Sequence, residues 1–174
     1  MDGGAPLILT ATLPPHLHAW ATALRDEHFP PERNHLEAHV TLFHALPPSY
    51  EAELSRVLAR LARENAPVAA QLEGVMSLGR GTALKLSSPA MLKLRDEIAE
   101  HFHGSLSAQD QHRPRLHITV QNKVSPAEAK ALQAQLGPAV QSRPFAFRGF
   151  FLFRYRGGPW EAVREWSFRG QQRS

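Results

Sequence analysis

The chain has 174 residues, 43% of them apolar and 21% charged, with a formal net charge of +4 and no cysteine. Those numbers suit one compact domain, or two small lobes sharing an interface, with a proper hydrophobic core. They exclude a disulfide framework, a thiolate zinc site and a cysteine nucleophile, and no apolar run approaches the roughly 20 residues needed to span a bilayer.

Leu7–Thr12 reads as an opening strand. The apolar stretch around it lacks a basic leader and runs into Pro14-Pro15, which favours a strand over a signal peptide. A helix from about Pro15 to Glu27 follows, then a loop rich in proline and charge (residues 28–36). A strand at about Glu37–Phe43 is ended by Leu46-Pro47-Pro48. Ser49 is the expected N-cap of a helix running to about Glu64, with Leu54, Val57, Leu58 and Leu61 on one stripe. Val68–Leu78 and Thr82–Leu86 form a hairpin about Gly79-Arg80-Gly81. Ser88-Pro89 caps and opens a helix to about Phe102, which Gly104 stops. A strand at about Arg115–Asn122 precedes the capping box Ser125-Pro126-Ala127-Glu128, whose helix closes near Gly137-Pro138. The final strands, about Phe145–Tyr155 and Glu161–Phe168, turn at Arg156-Gly157-Gly158-Pro159.

Helix, histidine-bearing strand, capped helix and hairpin thus occur twice in one order, and Glu73–Leu78 aligns with Arg148–Phe153. This repetition predicts an α+β, bilobal, pseudo-duplicated fold: two antiparallel sheets facing across a central cleft with helices on the outside. Residues 1–174 form a single domain on this reading, its lobes built mainly from the halves 1–88 and 89–174.

The chemistry lies in a motif that also occurs twice, 78 positions apart: His39-Val40-Thr41-Leu42 and His117-Ile118-Thr119-Val120. Strand side chains alternate faces, so each copy puts a histidine and a threonine together, with its apolar residues turned into a core. Two such strands facing one another place two imidazoles and two hydroxyls around one small anion. An unperturbed pKa near 6.5 lets one imidazole accept a proton while the other donates one. The hydroxyls donate to non-bridging phosphate oxygens as charge develops there. On an unbroken strand Arg115, Gln121 and Lys123 share the face of His117 and Thr119, so Gln121 and Lys123 are candidates for binding phosphate or base edges. Phe43 shares the face of His39 by the same count and reads as core packing or a base-stacking ring. Trp20, Trp160 and Trp166 read as core or lobe-packing residues.

Charge is uneven: residues 1–88 carry a net −2 and residues 89–174 a net +6, which suits an anionic partner such as a nucleotide or RNA. The other histidines show no metal-binding spacing, and neither a metal nor a cofactor is expected. A cysteine-free chain fits a reducing cytoplasm.

The two motifs, the run His117–Lys123 and the late Gly-Gly-Pro-Trp turn resemble the two-histidine (2H) phosphoesterase superfamily. That superfamily includes 2′-5′ RNA ligase-like proteins and 2′,3′-cyclic nucleotide phosphodiesterases, and the resemblance runs from Leu7 to about Phe168. It implies a metal-independent phosphodiesterase that opens 2′,3′-cyclic phosphates of RNA ends or nucleotides, with possible reversal into 2′-5′ RNA ligation. It further implies His39 as the acid, His117 as the base and 2′-phosphate products; a monomer is expected. Many ligase-like members carry an arginine soon after each motif. Here Phe43-His44 follow the first and Gln121-Asn122-Lys123 the second, so Lys123 supplies charge at one site and the other has no equivalent cation. Two rivals stand beside this reading: a non-catalytic nucleotide- or RNA-binding module with the same fold, and a metal-dependent hydrolase.

Overall fold

The computed structural model describes residues 4–171. Among these the chain runs β1 (Leu7–Thr12), α1 (Pro15–His28), β2 (Val40–Leu46), α2 (Glu51–Glu64), β3 (Val68–Ser77), β4 (Thr82–Ser87), α3 (Pro89–His101), β5 (His117–Gln121), α4 (Pro126–Leu136), β6 (Arg143–Phe147), β7 (Gly149–Arg154) and β8 (Glu161–Ser167). The strands form two four-stranded antiparallel sheets, ordered β2-β1-β7-β8 and β5-β4-β3-β6. The expected α+β class with two antiparallel sheets is what forms.

Local chemistry starts the helices. The Ser88 hydroxyl accepts from the Met91 amide at 3.1 Å, and that of Ser125 from the Glu128 amide at 3.1 Å, each satisfying an orphan donor of the first turn. Ser49 does not cap α2. It lies inside a 3-10 turn, Pro48–Tyr50, and Tyr50 precedes the helix with no side-chain cap. The two prolines hold the chain extended and then tightly turned, so α-helix begins only once they are cleared.

The helix α2 buries Leu54, Val57, Leu58 and Leu61, the expected stripe, against β7 and β8. Leu54, Leu58 and Leu61 are almost wholly excluded from water. Each contributes on the order of 2 kcal/mol, an upper figure because the unfolded chain is itself partly collapsed. The helices α3 and α4 pack on the second sheet through β3, and α4 also through β4.

The repeat is present but crossed. Strand–helix–histidine strand–helix–strand occurs as β1-α1-β2-α2-β3 and again from β4 through α3, β5 and α4 to the last strands. The third strand of the first unit leaves its own sheet and pairs with β4, while β7 of the second unit pairs with β1. Each sheet therefore draws two strands from each half, and lobes built from residues 1–88 and 89–174 do not form. The expected single strand Phe145–Tyr155 is likewise two strands. The chain passes from one sheet to the other at Arg148, whose amide donates to the Thr12 carbonyl at 2.8 Å and whose carbonyl accepts from Phe168 at 2.9 Å. Phe147 and Phe150, both fully buried, are three residues apart, a spacing that one continuous strand cannot bury on a single face.

Candidate active site

Strands β2 and β5 are the outermost of their sheets and approach each other. Val40, Leu42, Ile118 and Val120 are fully buried, while Thr41, His117 and Thr119 on β2 and β5, and His39 just before β2, are half-buried. The Nδ1 of His39 lies 2.9 Å from the carbonyl oxygen of Glu37, and that of His117 lies 2.5 Å from the carbonyl oxygen of Arg115. A carbonyl only accepts, so each Nδ1 carries the hydrogen. When the ring is neutral, Nε2 is then left as the lone-pair nitrogen. The same tether, to the residue two positions earlier, serves both histidines.

The His39 ring is pushed down to a pKa of about 4, chiefly by burial. The Glu37 carbonyl opposes this by favouring the protonated ring, and the positive charges of Arg25, His117 and His44 add to it. The ring is therefore neutral at pH 7, and it lies within electrostatic reach of both His117 and His44.

A bulge follows each motif. Thr10 pairs with Thr41 but Leu9 with Phe43, leaving Leu42 as the extra residue. Ala83 pairs with Thr119 but Thr82 with Gln121, leaving Val120 extra. An inserted residue reverses the faces of everything beyond it. Gln121 is accordingly not in the cleft: it is buried, and its Oε1 accepts from the Thr82 hydroxyl at 2.9 Å. Gly81 packs against this turn, where a Cβ would collide with the Gln121 carbonyl. Phe43 is fully buried as well, which settles it as packing. Lys123 lies beyond β5 in a left-handed conformation, φ 62°, and its exposed side chain lines a shallow depression with Arg33, His35 and Asn122. Lys123 is therefore beyond the strand and not on the strand face of His117.

Two buried arginines that sequence reasoning missed hold the bulges. Arg25 of α1, 4% exposed, donates through Nη1 to the Thr119 carbonyl at 3.0 Å and through Nε to Asn34 Oδ1 at 2.9 Å. Arg95 of α3, 3% exposed, donates through Nε to the Leu42 carbonyl at 3.2 Å, with its guanidinium 4.1 Å from the Phe43 ring centre. Each arginine sits in the helix before one histidine strand and reaches the bulge of the other. The signal was there: Leu17, Ala21 and Arg25 share a buried helical face, as do Met91, Arg95 and Ile98. Asp110, 1% exposed, accepts from the amides of His44 and Ala45 at 2.8 Å each, and so covers part of the outer edge of β2.

Beside His39 a groove of about 610 Å³ opens over the first sheet. Trp160 packs there against His39 with ring centres 4.6 Å apart, and Phe153 and Phe151 continue the aromatic surface. Trp160 is thus a wall of this groove, where the sequence reads it as a core or lobe-packing residue. Arg154 pairs with Glu51 at the start of α2, whereas Tyr155 is 43% exposed. Among the described residues no group of three His, Cys, Asp or Glu side chains gathers to hold a metal ion, and no helix is long and apolar enough to cross a membrane.

Two crossed α+β units with a histidine–threonine pair on each facing edge strand define a two-histidine phosphoesterase architecture. The family model of the 2′-5′ RNA ligase superfamily matches residues 13–159, and the chain belongs to that superfamily. Among solved structures, TT0787 of Thermus thermophilus is 21% identical with a TM-score of 0.65, covering 96% of this chain and 100% of its own. E. coli LigT complexed with 3′-AMP is 19% identical with a TM-score of 0.61, covering 94% and 98%. E. coli LigT complexed with NADP+ is 17% identical with a TM-score of 0.60, over the same shares. These are likenesses of fold. No curated protein matches the chain.

Proposed function

We propose that this protein is a metal-independent phosphodiesterase that opens 2′,3′-cyclic phosphates of nucleotides or RNA ends. The observation that carries the reading is the matched pair of imidazoles, each fixed through Nδ1 by a backbone carbonyl and each accompanied by a threonine hydroxyl, on strands that meet edge to edge. Water attacks phosphorus while one Nε2 takes its proton; the P–O3′ bond breaks, and the other imidazole protonates O3′. The product is a 2′-phosphate. The hydroxyls of Thr41 and Thr119 donate to the non-bridging oxygens, and Lys123, in the loop after β5, adds positive charge. Each proton transfer is worth about 10²–10⁴-fold. If a 5′-hydroxyl replaces water, the same steps form a 2′-5′ linkage. The 3′-AMP and NADP+ bound to LigT support a nucleotide-sized ligand for this fold.

The resemblance assigns His39 as acid and His117 as base. The neutral state of His39 in the free protein favours the reverse order, with His39 accepting the water proton and His117 donating to O3′. A cyclic substrate with sulfur in place of the bridging O3′ needs no protonation on leaving. It is expected to rescue His117→Ala and not His39→Ala; rescue of His39→Ala alone restores the order of the resemblance.

The activity itself is tested with 2′,3′-cyclic nucleotides in EDTA, following products by phosphorus NMR. Turnover to 2′-phosphates, reduced at least about 100-fold in both His39→Ala and His117→Ala, is expected. Tight binding without turnover would point to a binding module. Loss of activity in EDTA with recovery on zinc or manganese would point to a metallohydrolase.

A further inference from the structure

The register of the first sheet puts four side chains in one row across its open face: Thr41 on β2 pairs with Thr10 on β1, Thr10 with Phe151 on β7, and Phe151 with Glu165 on β8. Directly paired residues share a face, so this row starts at the motif threonine and ends at a carboxylate. Three interstrand steps span roughly 14 Å. With the threonine and glutamate side chains reaching inward from either end, that length matches one nucleoside between its phosphate and the far edge of its base.

The row crosses the groove that contains His39, Trp160, Phe151 and Phe153. Phe151 and Phe153 stack face to face, 4.4 Å apart with 7° between their planes, so a base can extend the stack only on an outer face of the pair. The Glu165 side chain lines the groove and is exposed. Thr10 already donates its hydroxyl hydrogen to the Phe151 carbonyl at 3.3 Å, so it can offer a ligand only an acceptor. An ionised carboxylate accepts at two oxygens and donates nothing. Among the common bases, guanine alone presents two adjacent donors, N1–H and the 2-amino group, on its pairing edge.

We propose that the groove is a base subsite selective for guanine, with Phe151 stacking on the base and the Glu165 carboxylate accepting from N1–H and the 2-amino group. The inference rests on the preceding reading that phosphate lies between His39 and His117. A two-point, charge-assisted contact of this kind discriminates by on the order of tenfold or more against bases that offer one donor.

The test is calorimetric binding of 2′-GMP, 2′-AMP, 2′-CMP and 2′-UMP to the wild type and to Glu165→Gln. That exposed exchange keeps the side-chain shape but replaces one acceptor oxygen with a donor. The wild type is expected to prefer 2′-GMP about tenfold and the variant to lose that preference, with its affinity for 2′-UMP changed less than about twofold. Binding of all four within about twofold, or a guanine preference that survives in Glu165→Gln, overturns the subsite. Equal binding beside efficient turnover of all four cyclic nucleotides removes the subsite and leaves the phosphodiesterase intact. A Glu165-dependent guanine preference with no turnover does the opposite.

Discussion

Replacing Arg25 by methionine isolates what the cross-lobe arginine contributes. The exchange keeps an unbranched apolar stem and removes both the charge and the donors. It strands the Thr119 carbonyl, 3.0 Å from Nη1, and Asn34 Oδ1, 2.9 Å from Nε, and loses the guanidinium that sits 4.1 Å from the Phe29 ring centre. Two hydrogen bonds to a charged donor are worth about 1.5–3 kcal/mol each, and the cation–π contact adds roughly 1 kcal/mol. Against this, a buried charge no longer has to be desolvated; burial already lowers the pKa of the Arg25 guanidinium. The net expectation is a loss of about 2–4 kcal/mol, read from urea unfolding. A second effect comes from the charge alone. Arg25 is one of the positive groups that depress the His39 pKa, so the His39 titration followed by NMR should move upward from about 4. Arg25→Lys, which keeps the charge but not the fork, should lose stability while leaving that titration nearly in place. A stability loss below about 0.5 kcal/mol together with an unmoved His39 titration in Arg25→Met would refute this account of the arginine.

Three further outcomes are expected. His39 has a folded pKa near 4 against an ordinary value of 6.5, so its contribution to stability is fully present above pH 6.5 and is lost as pH falls towards 4, by about 3 kcal/mol at most. Urea midpoints of the wild type should therefore drop more steeply than those of His39→Gln between pH 7 and 4, and parallel curves would contradict the depressed His39 pKa. Trp160→Ala opens the His39 ring to water, so its pKa should rise by about one unit. Activity should fall while stability changes by less than about 1 kcal/mol, because Trp160 lies beside the exposed β7–β8 turn; an unchanged pH profile would exclude the tryptophan from the site. Gln121→Ala should cost about 1–3 kcal/mol by leaving the buried Thr82 hydroxyl without that partner, yet leave KM unchanged, and a raised KM at full stability would put Gln121 back in the cleft.

The strand β1, the buried stripe of α2 and the caps at Ser88 and Ser125 were all legible because each depends on neighbours within a few residues. The two histidine–threonine pairs were legible for the same reason: the alternation that joins histidine to threonine spans three positions. Gln121 and Phe43 were misplaced because counting by twos assumes an unbroken ladder, and a bulge is decided by the partner strand. The β3–β4 hairpin was legible, but the crossing was hidden similarly, since β7 pairs with β1 and β6 with β3 across the molecule. Arg25 and Arg95 were visible as charges on apolar helix faces, but their acceptors lie 94 and 53 residues away. Trp160 follows a glycine-rich turn, and only the sheet register shows that this turn brings it onto His39.

The central claim is that both imidazoles act on one phosphate, and a crystal structure with a bound 2′-nucleotide tests it most directly. Nε2 of His39 and Nε2 of His117 should each lie within about 3 Å of oxygens on the same phosphate, with the hydroxyls of Thr41 and Thr119 on its remaining oxygens. A phosphate held by only one of the histidines, or seated away from β2 and β5, would contradict the account.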